Sequence, residues 1–362
     1  MIDDDGEFPV AQAELVAVTA VPVVDPVGRW SGGGWIASGV DGEVFVFDRS
    51  LQVVERFAVP DELPWPSRGD LLAPSRYRVD VSPDARWAVF AGFDRTVVVD
   101  PAGRVAWRNE HPSFRDEDGD EVLAAAVFRP DGGALWGYAR STEPTPATTD
   151  GKPAAVVRHV VSTGDWRLTA TVASIYQGLP TNDPLVHPGG NVVGFNNDDG
   201  CWVHCDDDSE TVLLTGSWYP LGFSPDATRW VGATDGRPVV GDVAGDFNGA
   251  LTEPDFAPFP LREDEDEDDE EEIDAAHFVT PRLVAVLGAR SLNPHHVLSN
   301  ATTLEPVACL AFLDNEDNGD NGDLGSLAGS DGDGTWVMSS VGFDSSWRVR
   351  PGRLRRWTAA LS

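Results

Sequence analysis

Runs of three or four apolar residues, mostly β-branched or aromatic, recur along the chain between polar turns rich in Asp, Gly and Pro. Val44–Phe47, Trp87–Phe90, Val97–Val99, Trp230–Ala233 and Thr335–Met338 are of this kind. Runs this short and this composition predict β-strands, and their regular spacing predicts an all-β repeat.

The turns carry the repeat. One turn reads Val81-Ser82-Pro83-Asp84-Ala85, then Phe128-Arg129-Pro130-Asp131-Gly132, then Phe223-Ser224-Pro225-Asp226-Ala227. Looser copies are Val186-His187-Pro188-Gly189-Gly190 and Phe278-Val279-Thr280-Pro281-Arg282. Pro sets φ at the second position of a tight turn, and Asp and Gly accept the conformations that follow. A second turn contributes Asp41, Asp94, Asp150, Asp199, Asp235 and Asp344, with spacings of 53, 56, 49, 36 and 109 residues. The last spacing is about double the others, so one copy lacks its Asp; that copy is Leu283–Leu287 followed by Ala289-Arg290-Ser291. The mean unit is about 50 residues, the size of a four-stranded propeller blade. The recurrence of the six aspartates is explained by turn formation.

The F-x-P-D-G turn resembles that of WD-repeat-like and TolB-like β-propellers, over about residues 13–357. Phe47-Asp48 and Val99-Asp100 stand where the Trp-Asp dipeptide of WD-repeats would be, but no Trp-Asp and no Gly-His occurs. The resemblance is to a divergent member. It implies an all-β, seven-bladed β-propeller of four-stranded antiparallel blades. The second to fourth strands are expected near 34–57, 87–108, 134–170, 191–214, 229–251, 283–308 and 335–357. Glu14–Val24 is expected to supply the first inner strand or the strand that closes the ring, with six or eight blades as alternative counts. The domain organisation that follows is an acidic tail at 1–12 and one propeller over 13–362, with acidic inserts at 114–121, 262–274 and 314–334.

Charge sharpens this picture. The chain of 362 residues has 60 acidic and 26 basic side chains, a net charge of −34. Thirty of the acids lie in five segments that hold no base: 3–7, 116–121, 206–210, 263–272 and 314–333. The rest of the chain is nearly balanced. Blocks of like charge are usually solvated loops. The balance argues against nucleic-acid or anionic-membrane binding, which needs clustered bases. Lys152 is the only lysine, a composition that resembles GC-rich, actinobacterial coding. No basic leader followed by an apolar run opens the chain, and no stretch is long enough to span a membrane as a helix. Cys201 and Cys205 are expected on one strand, too far apart for a disulfide. Reduced thiols then predict a cytoplasmic protein.

Candidate chemistry is sparse. There is no G-x-S-x-G, no P-loop and no dinucleotide fingerprint. Cys201, His204, Cys205 and His187 lack zinc-site spacing, and alternation splits the cysteines from His204. Asp314–Gly319, Asp116–Glu121 and Gly245–Gly249 approach calcium-loop grammar, and each lacks a ligand. Ser330–Trp336 resembles a sialidase-type Asp-box one residue short. No cofactor is expected, and calcium is the ion the sequence comes nearest to holding. Arg348, Arg350, Arg353, Arg355 and Arg356 make a basic C-terminal cluster, read either as neutralising acidic loops or as docking a partner. The expectation is a monomeric, non-catalytic scaffold for protein partners, with Glu263, Asp264, Asp266, Asp268 and Asp269 steering basic ones. The alternative is a propeller, possibly enzymatic, that binds a small molecule or metal ion in its central channel.

Overall fold

The computed structural model describes residues 9–63, 77–115, 121–141, 156–173, 184–189, 192–197, 200–205, 211–214, 218–234, 237–243, 252, 271–290, 293–312, 327–339, 342–343 and 349–359. Among these residues every regular element is a strand, and there is no helix.

Strand β1 is Val10–Val18. Four separate four-stranded antiparallel meanders follow in the sequence. The first is β2 (Val23–Trp30), β3 (Gly34–Gly39), β4 (Glu43–Asp48) and β5 (Val53–Ala58). The second is β6 (Arg78–Val81), β7 (Ala88–Ala91), β8 (Arg95–Val99) and β9 (Val105–Glu110). A two-stranded pair, β10 (Phe114–Arg115) and β11 (Glu121–Val122), precedes the third. That third meander is β12 (Ala125–Phe128), β13 (Ala134–Arg140), β14 (Val156–Ser162) and β15 (Arg167–Ala173). The fourth is β16 (Leu185–Val186), β17 (Val192–Asn197), β18 (Gly200–Cys205) and β19 (Thr211–Leu214). Cys201 and Cys205 share β18, as their spacing predicts.

The rest of the chain pairs differently. Strands β20 (Trp218–Phe223), β21 (Arg229–Thr234) and β22 (Arg237–Asp242) form a three-stranded sheet, with Thr252 bridging to Val240. Strands β23 (Glu271–Thr280), β24 (Leu283–Arg290), β25 (Asn293–Asn300) and β26 (Pro306–Phe312) make another antiparallel meander. Strands β27 (Leu327–Ser330) and β28 (Thr335–Ser339) form a hairpin. A short pair follows, β29 (Gly342–Phe343) with β30 (Val349–Arg350), and β31 (Leu354–Ala359) is the last strand. Strand β1 lies between β26, which it meets in parallel, and β31, which it meets antiparallel. It thereby joins the meander to β31, β28 and β27 in one eight-stranded sheet.

Among the described residues the free-standing four-stranded sheets therefore number four, where the repeat spacing predicts seven. Two things account for the difference: β20–β22 is a sheet of three strands among the described residues, and edge pairing merges two other strand sets. Strand β1 satisfies the open edges of two strand sets at once, so they count as one sheet. The expected strand ranges agree with the observed ones to within a few residues through β20–β22, and again through β24–β26 and β28 with β31. Val10–Val18 is the joining strand, and the expected segment Glu14–Val24 spans its end and the start of β2.

The chain forms two compact units. One comprises 23–213 and 343–350, the other 1–22, 214–342 and 351–362. Within each, sheets stack face to face in a propeller-like arrangement, and the period-2 alternation of a strand explains how. In the first unit Ala88, Phe90, Val97 and Val99 face the first sheet, packing with Trp30, Ile36, Val44 and Val46. Their neighbours Val89, Ala91 and Val98 face the third sheet, packing with Ala126, Phe128, Leu135 and Val161. In the second unit Val284 and Val286 pack with Val231 and Val240, while Ala285 and Leu287 pack with Trp336 and Trp357. A sheet buried on both faces needs continuous apolar strands, which is why these read as apolar runs rather than as half-polar alternation.

Candidate functional site

The Pro-Asp turns are built alike. At Ser82, Arg129 and Ser224 the residue's carbonyl accepts from the N–H three residues on, at 2.9, 2.8 and 2.8 Å. The first residue's own N–H donates to the carbonyl of the sixth, Trp87, Ala134 or Arg229. Asp84, Asp131 and Asp226 accept through Oδ1 from the N–H two residues on. Ser82 and Ser224 add a hydroxyl that donates to the aspartate and accepts the N–H of the sixth residue. The fourth residue is left-handed in each, with φ of 54° at Ala85, 70° at Gly132 and 58° at Ala227. Asp226 is pulled down to about 2 by the Ser224 hydroxyl first and then by Thr228.

Asp48 and Asp100 cap the turn from third to fourth strand. Each accepts through Oδ1 from the N–H four residues on, at 3.0 Å for Gln52 and 2.9 Å for Arg104. Asn300 caps its turn by accepting through Oδ1 from the N–H two residues on, that of Thr302, at 2.8 Å. Asp41 and Asp94 occupy the second-to-third-strand turns, as the spacing predicts, and both are exposed. Arg95 hydrogen-bonds the Asp94 carboxylate at 2.8 Å and lowers its pKa. Asp150, Asp199, Asp235 and Asp344 lie outside the described residues.

These positions define two ends of each meander. The first-to-second and third-to-fourth turns share one end, closed tightly by Asp, Pro and Ser. The second-to-third turn and the exit to the next sheet share the other. Strands β5, β9 and β26 end at that other end, and β23 begins there. Glu263, Asp264, Asp266, Asp268 and Asp269 lie outside the described residues. The tract's last two acids, Glu271 and Glu272, are already in β23 and pair with Arg290 and Ala289. Segments 116–120 and 314–323 also lie outside the described residues, as does the 245–249 calcium-like segment. Among the described residues no group of three metal-ligating side chains occurs.

Arg353, Arg355 and Arg356 have internal partners. Arg353 Nη1 donates to the carbonyls of Thr19 and Ala20, and Leu354 N–H donates to the Thr19 hydroxyl. These bonds fix the end of β1. Arg356 pairs with Asp333 at 2.6 Å and donates to the Thr335 hydroxyl at 2.9 Å. Arg355 neighbours Val18 across the β1–β31 pairing, and Arg350 lies in β30. Arg348 is outside the described residues.

Sequence reading passed over two buried polar groups. His111 is buried, and desolvation lowers its pKa; His159 is lowered for the same reason, with His111 adding to it. Arg158 is the other, in a strand that reads Val-Val-Arg-His-Val-Val. A charged residue at the centre of such a run was the signal available. No family profile and no curated protein matches this sequence. The resemblance to propellers therefore rests on the turns and the stacked four-stranded sheets, an architecture suited to a scaffold or binding role.

Proposed function

We propose that this chain is a non-catalytic interaction scaffold, WD-repeat-like, whose acidic connections engage a basic protein partner. One observation carries the reading. Strands β9, β12, β23 and β26, which border acidic tracts 116–121, 263–272 and 314–323 in the sequence, have their bordering ends opposite the tight turns, where insertions leave the strand pairing intact. Stacked sheets hold such loops on a rigid base, and concentrated negative charge steers a basic partner at a rate that salt suppresses. The seven-unit repeat belongs to the same proposal. Strands β23–β26, and β1 with β31, β28 and β27, are each four antiparallel strands, which supports counting the eight-stranded sheet as two blades.

The test is capture from native lysate at low and high salt, with the full chain and a variant lacking 263–270. The full chain is expected to retain a basic partner that rising salt releases, and the variant to retain several-fold less. Equal capture by both proteins, or capture insensitive to salt, overturns the proposal.

A further inference from the structure

Arg158 is 2% exposed, in the middle of β14. Its guanidinium sits 5.1 Å over the ring of Trp136. Tyr138 is its cross-strand neighbour in register. Among the described residues Arg158 forms no ion pair, and its Nε and Nη1 are buried without an acceptor. The indole Nε1 of Trp136 is likewise buried without an acceptor.

A guanidinium does not shed its proton to escape burial, and an uncompensated buried charge is costly. The ring face of Trp136 offsets part of that cost. A Tyr138 phenolate would offset more, but burial drives the phenol pKa well up and keeps it protonated. What converges on this face is the Nε–H and Nη1–H of Arg158 and the indole N–H of Trp136, beside a fixed positive charge. Donors without acceptors fit an anion. The surrounding side chains, Ala125, Val127, Val156 and Val160, are apolar and favour an anion with a hydrocarbon part.

We propose that Arg158 binds the carboxylate of a small organic acid, with Trp136 Nε1 as a second donor, on the face of β13 and β14. This site is independent of the acidic loops.

The experiment is thermal unfolding of the full chain in zwitterionic buffer, titrated with butyrate, inorganic phosphate or sodium chloride at matched ionic strength. Butyrate is expected to raise Tm saturably, and chloride is not, because a ligand bound only by the folded state shifts the equilibrium. Arg158→Met is expected to remove the butyrate shift and to melt no lower than wild type in the absence of anion. Trp136→Phe keeps the ring and is expected to raise the half-saturating butyrate concentration about fivefold, the loss of one hydrogen bond. This variant carries the test if Arg158→Met fails to fold. An equal butyrate shift in wild type and variants overturns the site. So does no shift in wild type, the result expected if a carboxylate of the chain itself pairs with Arg158. A saturable response to phosphate alone overturns the carboxylate assignment.

Discussion

The two ends of each meander follow different rules. At the tight end, three turns in two units repeat one hydrogen-bond scheme, down to a left-handed fourth residue. At the other end the connections vary in length and gather much of the charge. The tight end is also tied to its neighbours: Trp30 Nε1 donates to the Ser82 carbonyl at 2.9 Å, from one sheet to the turn of the next. Asp80 accepts from the Phe128 N–H at 2.7 Å, between the second and third sheets. Gly332 lies against Pro225 so closely that any Cβ would overlap the ring. Variation is tolerated where backbone groups meet water and excluded where a turn must fit a neighbouring sheet.

The largest test of this contrast is Trp30→Ala. It removes a buried indole from the core between two sheets and one of the two donors to the Ser82 carbonyl, and it should cost about 3–5 kcal/mol in urea unfolding. A cost below about 1 kcal/mol would show that the turn does not couple the sheets.

Ser224→Ala comes next. It leaves the Arg229 N–H and Asp226 Oδ1 without the serine hydroxyl and should cost about 1–2 kcal/mol. The same change weakens the acid dependence. Asp226 has its folded pKa lowered from 3.8 to about 2, so its contribution is full above pH 4 and is lost as pH falls toward 2. Stability measured from pH 5 to 2 should fall less steeply in Ser224→Ala than in wild type.

Smaller effects follow at the left-handed position. Ala85→Gly and Ala227→Gly should each gain about 0.5–1 kcal/mol, since a Cβ is strained there. Gly132→Ala should lose a similar amount, even though Pro83 leaves room for a methyl group. If the three substitutions share one sign, the turns are not equivalent.

Deleting 263–270 at the other end should have the smallest effect. The melting temperature should hold or rise slightly as like-charge repulsion is relieved. A clear drop would place part of the tract in the fold and erase the contrast.

Much of this architecture is legible in particular residues. Pro83, Pro130 and Pro225 announce their turns, and Asp41 and Asp94 mark the opposite ones. Phe47-Asp48 and Val99-Asp100 stand where a Trp-Asp dipeptide would be, and the structure uses both aspartates as turn caps. Strand β1 carries no such mark. It buries Ala11 and Ala13 while Val10, Leu15 and Val16 are exposed, so no apolar pattern announces its partners. Its pairing rests on backbone hydrogen bonds to residues some 300 positions away. The alternation of Val156–Val161 gives Arg158 and His159 opposite faces, but not which face lies deeper.

The sequence by itself determined the strands and their tight turns, because proline geometry, aspartate capping and the tolerance for positive φ act within six residues. Tertiary structure alone decided that β1 joins two strand sets and that Arg158 is buried against Trp136. Edge pairing and burial depend on which surface arrives from elsewhere in the chain, and no local pattern carries that information.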